Sequence, residues 1–339
     1  MKVGIVEKPG VLTLAEREIP KVKNAGDVLV KVKRVGICGS DIHILHGKNP
    51  FAVYPRVWGH EFVGEVAAAG AGVKSVKTGD RIVVEPITYC GTCYACRQGR
   101  PNVCADLKVF GVHADGGCAE YVIVPEANAH LLPEGLPWDE AALIEPFTIG
   151  AQACYRGDVR QGDYVLVMGA GTIGLTAASL AKLYGATVIV SDLVDDKLAY
   201  AKSRGADFVI NSGKEDMPKR VAEITDGMGP NVTIDAVCIK KTFEDAVLVT
   251  STAGRVVELS FNETPSEIAP VNIIKKELTV CGSRLQTKRF PVVIDFIRSG
   301  KLSLSGFVSK VYPVSQMAEA FDYTEKNNAS VRKVLISFE

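Results

Sequence analysis

The sequence predicts an α/β protein of two domains, an irregular β-rich domain and a doubly wound parallel sheet. The chain has 339 residues, more than a single hydrophobic core usually organises. Residues 1 to about 130 are rich in Val and Gly and form short alternating segments bounded by Gly, Pro or Asp. From about residue 162, short apolar runs alternate with helical segments that end at glycine. That alternation is typical of a parallel sheet covered by helices.

The strands of the β-rich domain are short and irregularly spaced. The clearest segments are Asp27 to Val35, Phe62 to Ala68, Asp80 to Glu85 and Ala119 to Val124. Their spacing differs from that of βαβ repeats.

The second domain is predicted to contain six strands with helices between them. The strands are Tyr164 to Met168, Thr187 to Ser191, Phe208 to Ile210, Val232 to Ala236, Val256 to Leu259 and Leu278 to Cys281. The tail adds a helix and a further strand, for which a completed six-stranded sheet has no place. We therefore expect residues 1–149 to form the first domain, 150–287 the second, and 288–339 to return to the first.

Composition and charge exclude several classes of function. Lys plus Arg equals Asp plus Glu, at 39 each, so no basic surface is predicted for nucleic acid. The N-terminal residues resemble a strand rather than a signal peptide, and no apolar run is long enough to span a membrane. Together with nine cysteines, these features predict a cytoplasmic protein with reduced thiols.

One loop carries four cysteines, Cys90, Cys93, Cys96 and Cys104, spaced as C-x2-C-x2-C-x7-C. Four thiolates form the closed tetrahedron that structural zinc prefers, without an open position for a substrate. Two disulfides are the alternative, and a reducing compartment disfavours them. The loop is too short and polar to form its own core, so zinc is expected to stabilise it.

The sequence Gly169-Ala170-Gly171-Thr172-Ile173-Gly174 is a G-x-G-x-x-G motif between a predicted strand and a predicted helix. In this context the motif indicates a dinucleotide site with the pyrophosphate at the helix N-terminus, although a plain structural turn is the alternative. Asp192 ends the next strand, 23 residues after Gly169, where a carboxylate binds the adenosine ribose. Its charge would repel a 2′-phosphate, which favours NAD over NADP. Lys197 is assigned to the same site.

The β-rich domain contains further candidate metal ligands. Cys38, Ser40 and His43 fall within six residues, His60 and Glu61 are adjacent, and Glu145 precedes the second domain. Each has a structural alternative when taken singly: a core thiol, a buried imidazole or a charge at a helix end.

Six segments together resemble the zinc-dependent medium-chain alcohol and polyol dehydrogenases, along nearly the whole chain. They are GICGSDIH, GHEFVG, the four-cysteine loop, GVHADGG, IEPFTIG and VMGAGTIG. The likeness is greatest to the sorbitol, threonine and sugar-acid branch. It implies a GroES-like β-barrel catalytic domain, a Rossmann domain and an active site in the cleft between them. A homodimer or homotetramer is also implied.

The resemblance also implies roles for individual residues. Cys38 and His60 become ligands of a catalytic zinc, and either Glu61 or Glu145 completes the shell; other alcohol dehydrogenases have cysteine at the position of Glu145. Zinc would activate a substrate hydroxyl for hydride transfer to NAD. Ser40 would accept the hydroxyl proton and pass it through the nicotinamide ribose to His43.

The predicted pocket is polar. Besides Glu145 it includes His113, Asp115 and Arg284, where Arg284 either contacts the substrate or forms a salt bridge with Glu145. A simple aliphatic alcohol would leave these groups unpaired, at a cost of about 1–3 kcal/mol each. We therefore expect a secondary hydroxyl of a polyol or hexonate to be oxidised to a ketone.

Other functions are compatible with parts of the sequence. The chain could be an L-threonine or other secondary alcohol dehydrogenase. A nucleotide-sensing zinc-ribbon regulator would need the four-cysteine loop and the glycine motif but not the second set of ligands. A zinc-free quinone reductase would need neither metal site. Two zinc ions per chain are expected of the enzyme, and one of the regulator.

Overall fold

The computed structural model describes residues 1–259 and 261–339, which form two compact units. Unit 1 comprises Met1–Glu145 and Phe290–Glu339, and unit 2 comprises Pro146–Arg289. The helix Ile144–Arg156 crosses the first boundary between the units, and the domain bounds expected from the sequence stay a prediction. No helix of the described residues is long and apolar enough to cross a membrane.

The strands are, in chain order, β1 Lys2–Lys8, β2 Val11–Glu16, β3 Asp27–Ile37, β4 Arg56–Val57, β5 Glu61–Ala69, β6 Arg81–Val84, β7 Ile87–Thr88, β8 Lys108–Val109, β9 Tyr121–Pro125, β10 Ala129–Leu131, β11 Tyr164–Met168, β12 Thr187–Asp192, β13 Phe208–Asn211, β14 Val232–Asp235, β15 Arg255–Glu258, β16 Thr279–Gly282, β17 Val308–Pro313 and β18 Lys333–Ser337.

The α-helices are α1 Gly39–Leu45, α2 Tyr94–Arg97, α3 Trp138–Ala141, α4 Ile144–Arg156, α5 Thr172–Leu183, α6 Asp195–Ser203, α7 Met217–Ile224, α8 Lys240–Val249, α9 Val271–Ile274, α10 Phe290–Arg298 and α11 Met317–Lys326. Short 3-10 helices cover Pro101–Val103, Glu126–Asn128 and Val314–Gln316.

Unit 1 is organised around the long strand β3. This strand pairs antiparallel with β5, β9 and β18, and β17 extends the sheet by pairing parallel with β18. The interior residues of β3 alternate with half-buried and exposed ones, so one face of the strand packs against a core that includes Val28, Val30 and Val32. The last two strands of the chain, β17 and β18, thus belong to the same sheet as β3.

Unit 2 is a parallel sheet in the order β13-β12-β11-β14-β15-β16. Counted along the chain this is the order 3-2-1-4-5-6, which defines the doubly wound dinucleotide-binding fold. The central strands are fully buried at Leu166, Ile189 and Val256, as expected for a sheet covered on both faces. The predicted fold class is confirmed.

Candidate active site and metal centres

The first metal site begins where β3 ends. Cys38 separates β3 from α1 and takes an extended conformation at the N-cap of the helix. Its backbone amide donates a 2.8 Å hydrogen bond to Oδ2 of Asp41 in the first helical turn. This bond fixes the turn that carries Cys38 and leaves the thiol half-buried at the end of the sheet.

His60 and Glu61 enter the same place from the neighbouring strand. Glu61 is the first residue of β5 and His60 directly precedes it, and both side chains are buried. The ligand atoms of Cys38, His60 and Glu61 all lie within 4.8 Å of one another. Since β3 and β5 pair with Gly36 opposite Glu61, the convergence follows from strand register. A local pairing of two strands therefore brings together residues that are separate in sequence.

Two further residues surround these ligands. Oδ1 of Asp41 lies 3.5 Å from Nδ1 of His60, and the Asp41 side chain is fully buried. The Lys333 ammonium, buried at the start of β18, donates to both carboxylate oxygens of Glu61 at 2.7 Å. Asp41 is thus placed to orient the imidazole, which presents its other nitrogen, Nε2, on the opposite side of the ring.

The electrostatics of this cluster favour a cation. Burial raises the pKa of Glu145 to about 8, and the charge of Glu61 adds to that effect. Burial alone would lower the pKa of His60, yet Asp41 and Cys38 raise it well above 6.5. Burial would likewise lower the pKa of Lys333, and Glu61 raises it. Neighbouring negative groups raise the pKa of His60 and Lys333 against the effect of burial, whereas burial is the main cause for Glu145. A divalent cation at this place would be attracted by the same negative groups.

The donor set also fits zinc. Thiolate, imidazole and carboxylate are the side chains that bind zinc, and three protein ligands with an open fourth position mark a catalytic site. Cys38, His60 and Glu61 offer one ligand atom each. The buried Glu145 is not part of the group of three mutually close ligands, so the geometry favours Glu61 as the third ligand. The assignment between the two glutamates remains a prediction.

The predicted proton relay lies on α1. Ser40 is half-buried in the first turn, two residues after Cys38, and His43 is exposed one turn later. Positions three apart on a helix lie on the same side. The helix therefore provides a path from the buried ligands towards solvent, although the roles of both residues remain predictions.

The four-cysteine loop is compact and contains no disulfide. The sulfur atoms of Cys93 and Cys96 are 3.6 Å apart and those of Cys104 and Cys90 are 3.4 Å apart, much longer than a bond of about 2.05 Å. Backbone amides of Cys90 and Asp106 donate to the Cys104 sulfur, each at 3.3 Å. Amide donors of this kind stabilise thiolates, and amides of Thr92 and Cys93 lower the pKa of Cys90 to about 6. The loop fits a structural zinc.

The glycine motif occupies the turn from β11 to α5. Gly169 has φ +95°, which an L side chain rarely adopts, and a Cβ at Gly174 would overlap the Gly169 carbonyl oxygen. Gly171 is exposed with open space around it, just before Thr172 starts the helix. Ile173 and Thr172 are half-buried. The backbone is thus open to a phosphate group at the N-terminus of α5.

Asp192 ends β12 beside this turn. Its Oδ2 accepts from the Ala170 amide at 2.7 Å, and its Oδ1 accepts from the Val194 amide at 3.0 Å. The carboxylate is therefore held at the glycine motif, where it is predicted to bind the ribose. Lys197 is half-buried in the first turns of α6.

The predicted substrate residues have partners of their own. Oδ1 and Oδ2 of Asp115 pair with Arg56 at 3.1 Å and Arg17 at 2.8 Å, which favours a structural role for this carboxylate. Nδ1 of His113 accepts from the Val109 amide at 3.2 Å, so the neutral ring carries its proton on Nε2. In unit 2 the Arg284 guanidinium stands 5.6 Å from the centre of the Phe261 ring.

Sequence reasoning missed Asp41 and Lys333. Asp41 follows Cys38 by three residues, the spacing at which a side chain reaches an N-cap amide, so a signal existed. Lys333 is 272 positions from Glu61, and only the pairing of β18 with β3 brings it close. Its sequence neighbourhood contains no metal ligand that could have revealed it.

A nucleotide-binding sheet combined with a thiolate, imidazole and carboxylate site defines a metal-dependent dehydrogenase. Residues 24–134 match the alcohol dehydrogenase GroES-like domain, and residues 172–299 match the zinc-binding dehydrogenase domain. The chain belongs to the zinc-binding alcohol dehydrogenase family, whose members are oxidoreductases acting on CH–OH groups. The family resemblance of the sequence is confirmed.

Curated relatives match over their full length. The chain is 44% identical to the starvation-sensing protein RspB of Escherichia coli K12 over 340 residues, covering 100% of this chain and 99% of the relative. It is 36% identical to L-galactonate-5-dehydrogenase of the same organism, with the same coverage. A crystal structure of RspB from E. coli CFT073, described as an alcohol dehydrogenase complexed with NADH, superposes with a TM-score of 0.95 at 44% identity, covering 100% and 99% of the two chains.

Proposed function

We propose that this protein oxidises a secondary hydroxyl of a polyol or hexonate to a ketone, with NAD as hydride acceptor and zinc at the Cys38 site. The observation that carries the proposal is the convergence of Cys38, His60 and Glu61 within 4.8 Å at the buried end of two paired strands. A regulator that only senses a nucleotide would have no use for this second metal site. The match to a galactonate dehydrogenase supports a sugar-acid substrate.

When bound, zinc supplies a Lewis acid that lowers the pKa of the substrate hydroxyl, and NAD supplies the hydride acceptor. Cys38, His60 and Glu61 would hold the metal, while Asp41 would orient the His60 ring. Oxidation of the hydroxyl removes a hydride and a proton; bound NAD would accept the hydride, and the proton would leave through residues of the chain. Ser40, which is half-buried on α1 two residues after Cys38, would accept this proton, and exposed His43 would release it to water.

NAD is favoured over NADP by the carboxylates that follow β12. Asp192 is held at the glycine motif by two backbone amides, and Asp195 and Asp196 are exposed in the next turn. A 2′-phosphate would meet this negative charge at short range. Lys214 pairs with Asp195 and so offsets part of that charge.

Two properties of the protein in the cell are also proposed. Within the described part of the chain the nine cysteines are free, which supports a reducing, cytoplasmic setting. The edge strand β16 leaves Val280 exposed, and Val271 and Ile274 on α9 are exposed as well. An open strand edge with apolar neighbours supports a homodimer or homotetramer, which light scattering would measure.

The test is steady-state kinetics with NAD on ethanol, sorbitol, L-threonine and L-galactonate, combined with zinc analysis of the same preparation. We expect two zinc ions per chain and the highest kcat/KM with L-galactonate or sorbitol. Cys38→Ser is the matched control and should retain one zinc ion without turnover. One zinc ion in the parent protein would favour the regulator, and ethanol as the best substrate would contradict the polyol or hexonate assignment.

A further inference from the structure

We infer that Lys333 is a positioning residue for the metal site, acting through Glu61, whose carboxylate it holds beside Cys38 and His60. This inference rests on the proposed function, since it takes those three residues as ligands. Lys333 lies on the last strand of the chain, and its side chain is 3% exposed. Lysine is almost never buried so deeply unless it is paired.

The strand arrangement explains how Lys333 reaches Glu61. Strand β3 lies between β5 and β18, and its residue Gly36 pairs with Glu61 on one side and Leu335 on the other. Residues two apart on a strand share a face, so Lys333 points to the same side as Leu335. The lysine therefore crosses the central strand at Gly36 to meet the glutamate.

Gly36 is the residue that permits this crossing. A Cβ atom at Gly36 would overlap Oε2 of Glu61 and lie 3.1 Å and 3.2 Å from its Cβ and Cδ atoms. With glycine here, the Glu61 side chain folds back over β3 into the reach of Lys333. The pair is thus built into three adjacent strands, β18, β3 and β5.

The hydrogen bonds of Lys333 are fully used. An ammonium has three donors, and here they go to Oε1 and Oε2 of Glu61, both at 2.7 Å, and to the Ile37 carbonyl at 3.2 Å. Each carboxylate oxygen has a second lone pair, so Glu61 can accept from Lys333 and still bind a metal. The Ile37 bond anchors the ammonium one residue before the ligand Cys38.

These contacts do two things for the ligands. They fix the orientation of the Glu61 carboxylate, which could otherwise rotate over a broad range about its terminal χ3 torsion. They also place a positive charge against the buried Glu61 carboxylate. Residues that orient metal ligands in this way typically change metal affinity by about 10–100-fold when they are removed.

The experiment measures metal binding directly, without relying on enzyme activity. Zinc at the Cys38 site is replaced by Co²⁺, and the thiolate–cobalt absorption bands and the half-time of metal loss to a chelator are recorded. We expect Lys333→Met to change the bands and to shorten the half-time by about 10–100-fold. Gly36→Ala should also change the bands and shorten the half-time. Lys310→Met, which removes an exposed lysine from the neighbouring strand β17, should match the parent protein.

A double variant tests whether Lys333 acts through Glu61. Glu61→Gln alone and Lys333→Met/Glu61→Gln should lose the metal at the same rate, and this comparison decides the matter if Lys333→Met alone does not fold. A further tenfold loss in the double variant, or parental bands and half-time in Lys333→Met, would overturn the inference while leaving the proposed function intact. A parent protein without a thiolate–cobalt band at the Cys38 site would overturn both.

Discussion

Oδ1 of Asp41 lies 3.5 Å from Nδ1 of His60, while the other oxygen of the same carboxylate accepts from the Cys38 amide at 2.8 Å. One fully buried side chain therefore adjoins two of the three predicted metal ligands. The contact to His60 is longer than a well-formed hydrogen bond, and both atoms are buried and have no hydrogen-bond partner among the described residues. Asp41 thus couples the position of the Cys38 backbone to the orientation of the imidazole.

The first prediction concerns this carboxylate. Asp41→Asn keeps the size of the side chain and an oxygen for the Cys38 amide, but removes the charge beside His60. We expect kcat/KM and zinc affinity to fall by about 10–100-fold, with a small change in melting temperature. Zinc analysis after dialysis measures the zinc affinity, and steady-state kinetics measure kcat/KM.

Asp139→Asn, which affects a carboxylate paired with Arg34 at 2.6 Å, is the control and should keep the parental zinc affinity and kcat/KM. Unchanged zinc affinity in Asp41→Asn would exclude the orienting role.

The second prediction separates the two metals. Cys93→Ser removes a ligand from the four-cysteine loop, where metal binding contributes directly to folding. We expect one zinc ion to be lost and the apparent melting temperature to fall by about 5–10 °C. Cys38→Ser should lose the other zinc ion and all turnover, with far less effect on melting. Calorimetry and zinc analysis of the two variants in parallel provide the measurement, and parental kcat in Cys38→Ser would refute the catalytic site.

The third prediction concerns the choice of cofactor. Asp192→Ala removes the negative charge at the predicted ribose site and the acceptor for the Ala170 and Val194 amides. We expect KM for NAD to rise at least about tenfold, because a charged hydrogen bond contributes about 1.5–3 kcal/mol, and the preference over NADP to narrow. Asp192→Asn retains an amide acceptor and isolates the effect of charge. A parent protein that uses NADP better than NAD would contradict this interpretation of Asp192.

Much of the fold could be predicted because its signals are local. The six strands of unit 2 are apolar runs between helices, and the predicted segments fall on β11 to β16. Cys38, His60 and Glu61 could be proposed as ligands because the segments that contain them resemble a known family, and their role stays a prediction. By contrast, the partners of these ligands depend on strand order. No local sequence pattern predicts the salt bridge between Lys333 and Glu61, or those of Asp115 with Arg17 and Arg56.

The fourth prediction uses the pH dependence of stability. Burial would raise the pKa of Asp207, but hydrogen bonds from Lys182 and the Val188 amide lower it below 3.8. A carboxylate with a lowered pKa in the folded state stabilises the protein above its unfolded pKa, and this contribution is lost as pH falls through the folded pKa. Asp207→Asn should therefore lower the melting temperature by about 2–4 °C at pH 7, for a loss of about 1 kcal/mol.

The difference in melting temperature between Asp207→Asn and the parent protein should stay constant from pH 7 to about 5. It should narrow below pH 4, where Asp207 begins to take up a proton in the unfolded chain. Differential scanning calorimetry across this range measures it. Asp196→Asn, at an exposed position of the same unit, controls for general charge effects. A difference that grew as the pH fell would contradict the assigned role of Asp207.

The last prediction addresses the substrate. Arg284 follows β16 and is half-buried, with its guanidinium above the exposed ring of Phe261. A planar guanidinium pairs well with a carboxylate, which a hexonate has and sorbitol lacks. Arg284→Gln should therefore raise KM for L-galactonate by at least about tenfold and change KM for sorbitol by less than about threefold. Lys288→Gln, at an exposed position four residues later, should leave both unchanged. Equal losses for the two substrates would show that Arg284 orders the site in general, because a direct contact with the carboxylate predicts discrimination between them.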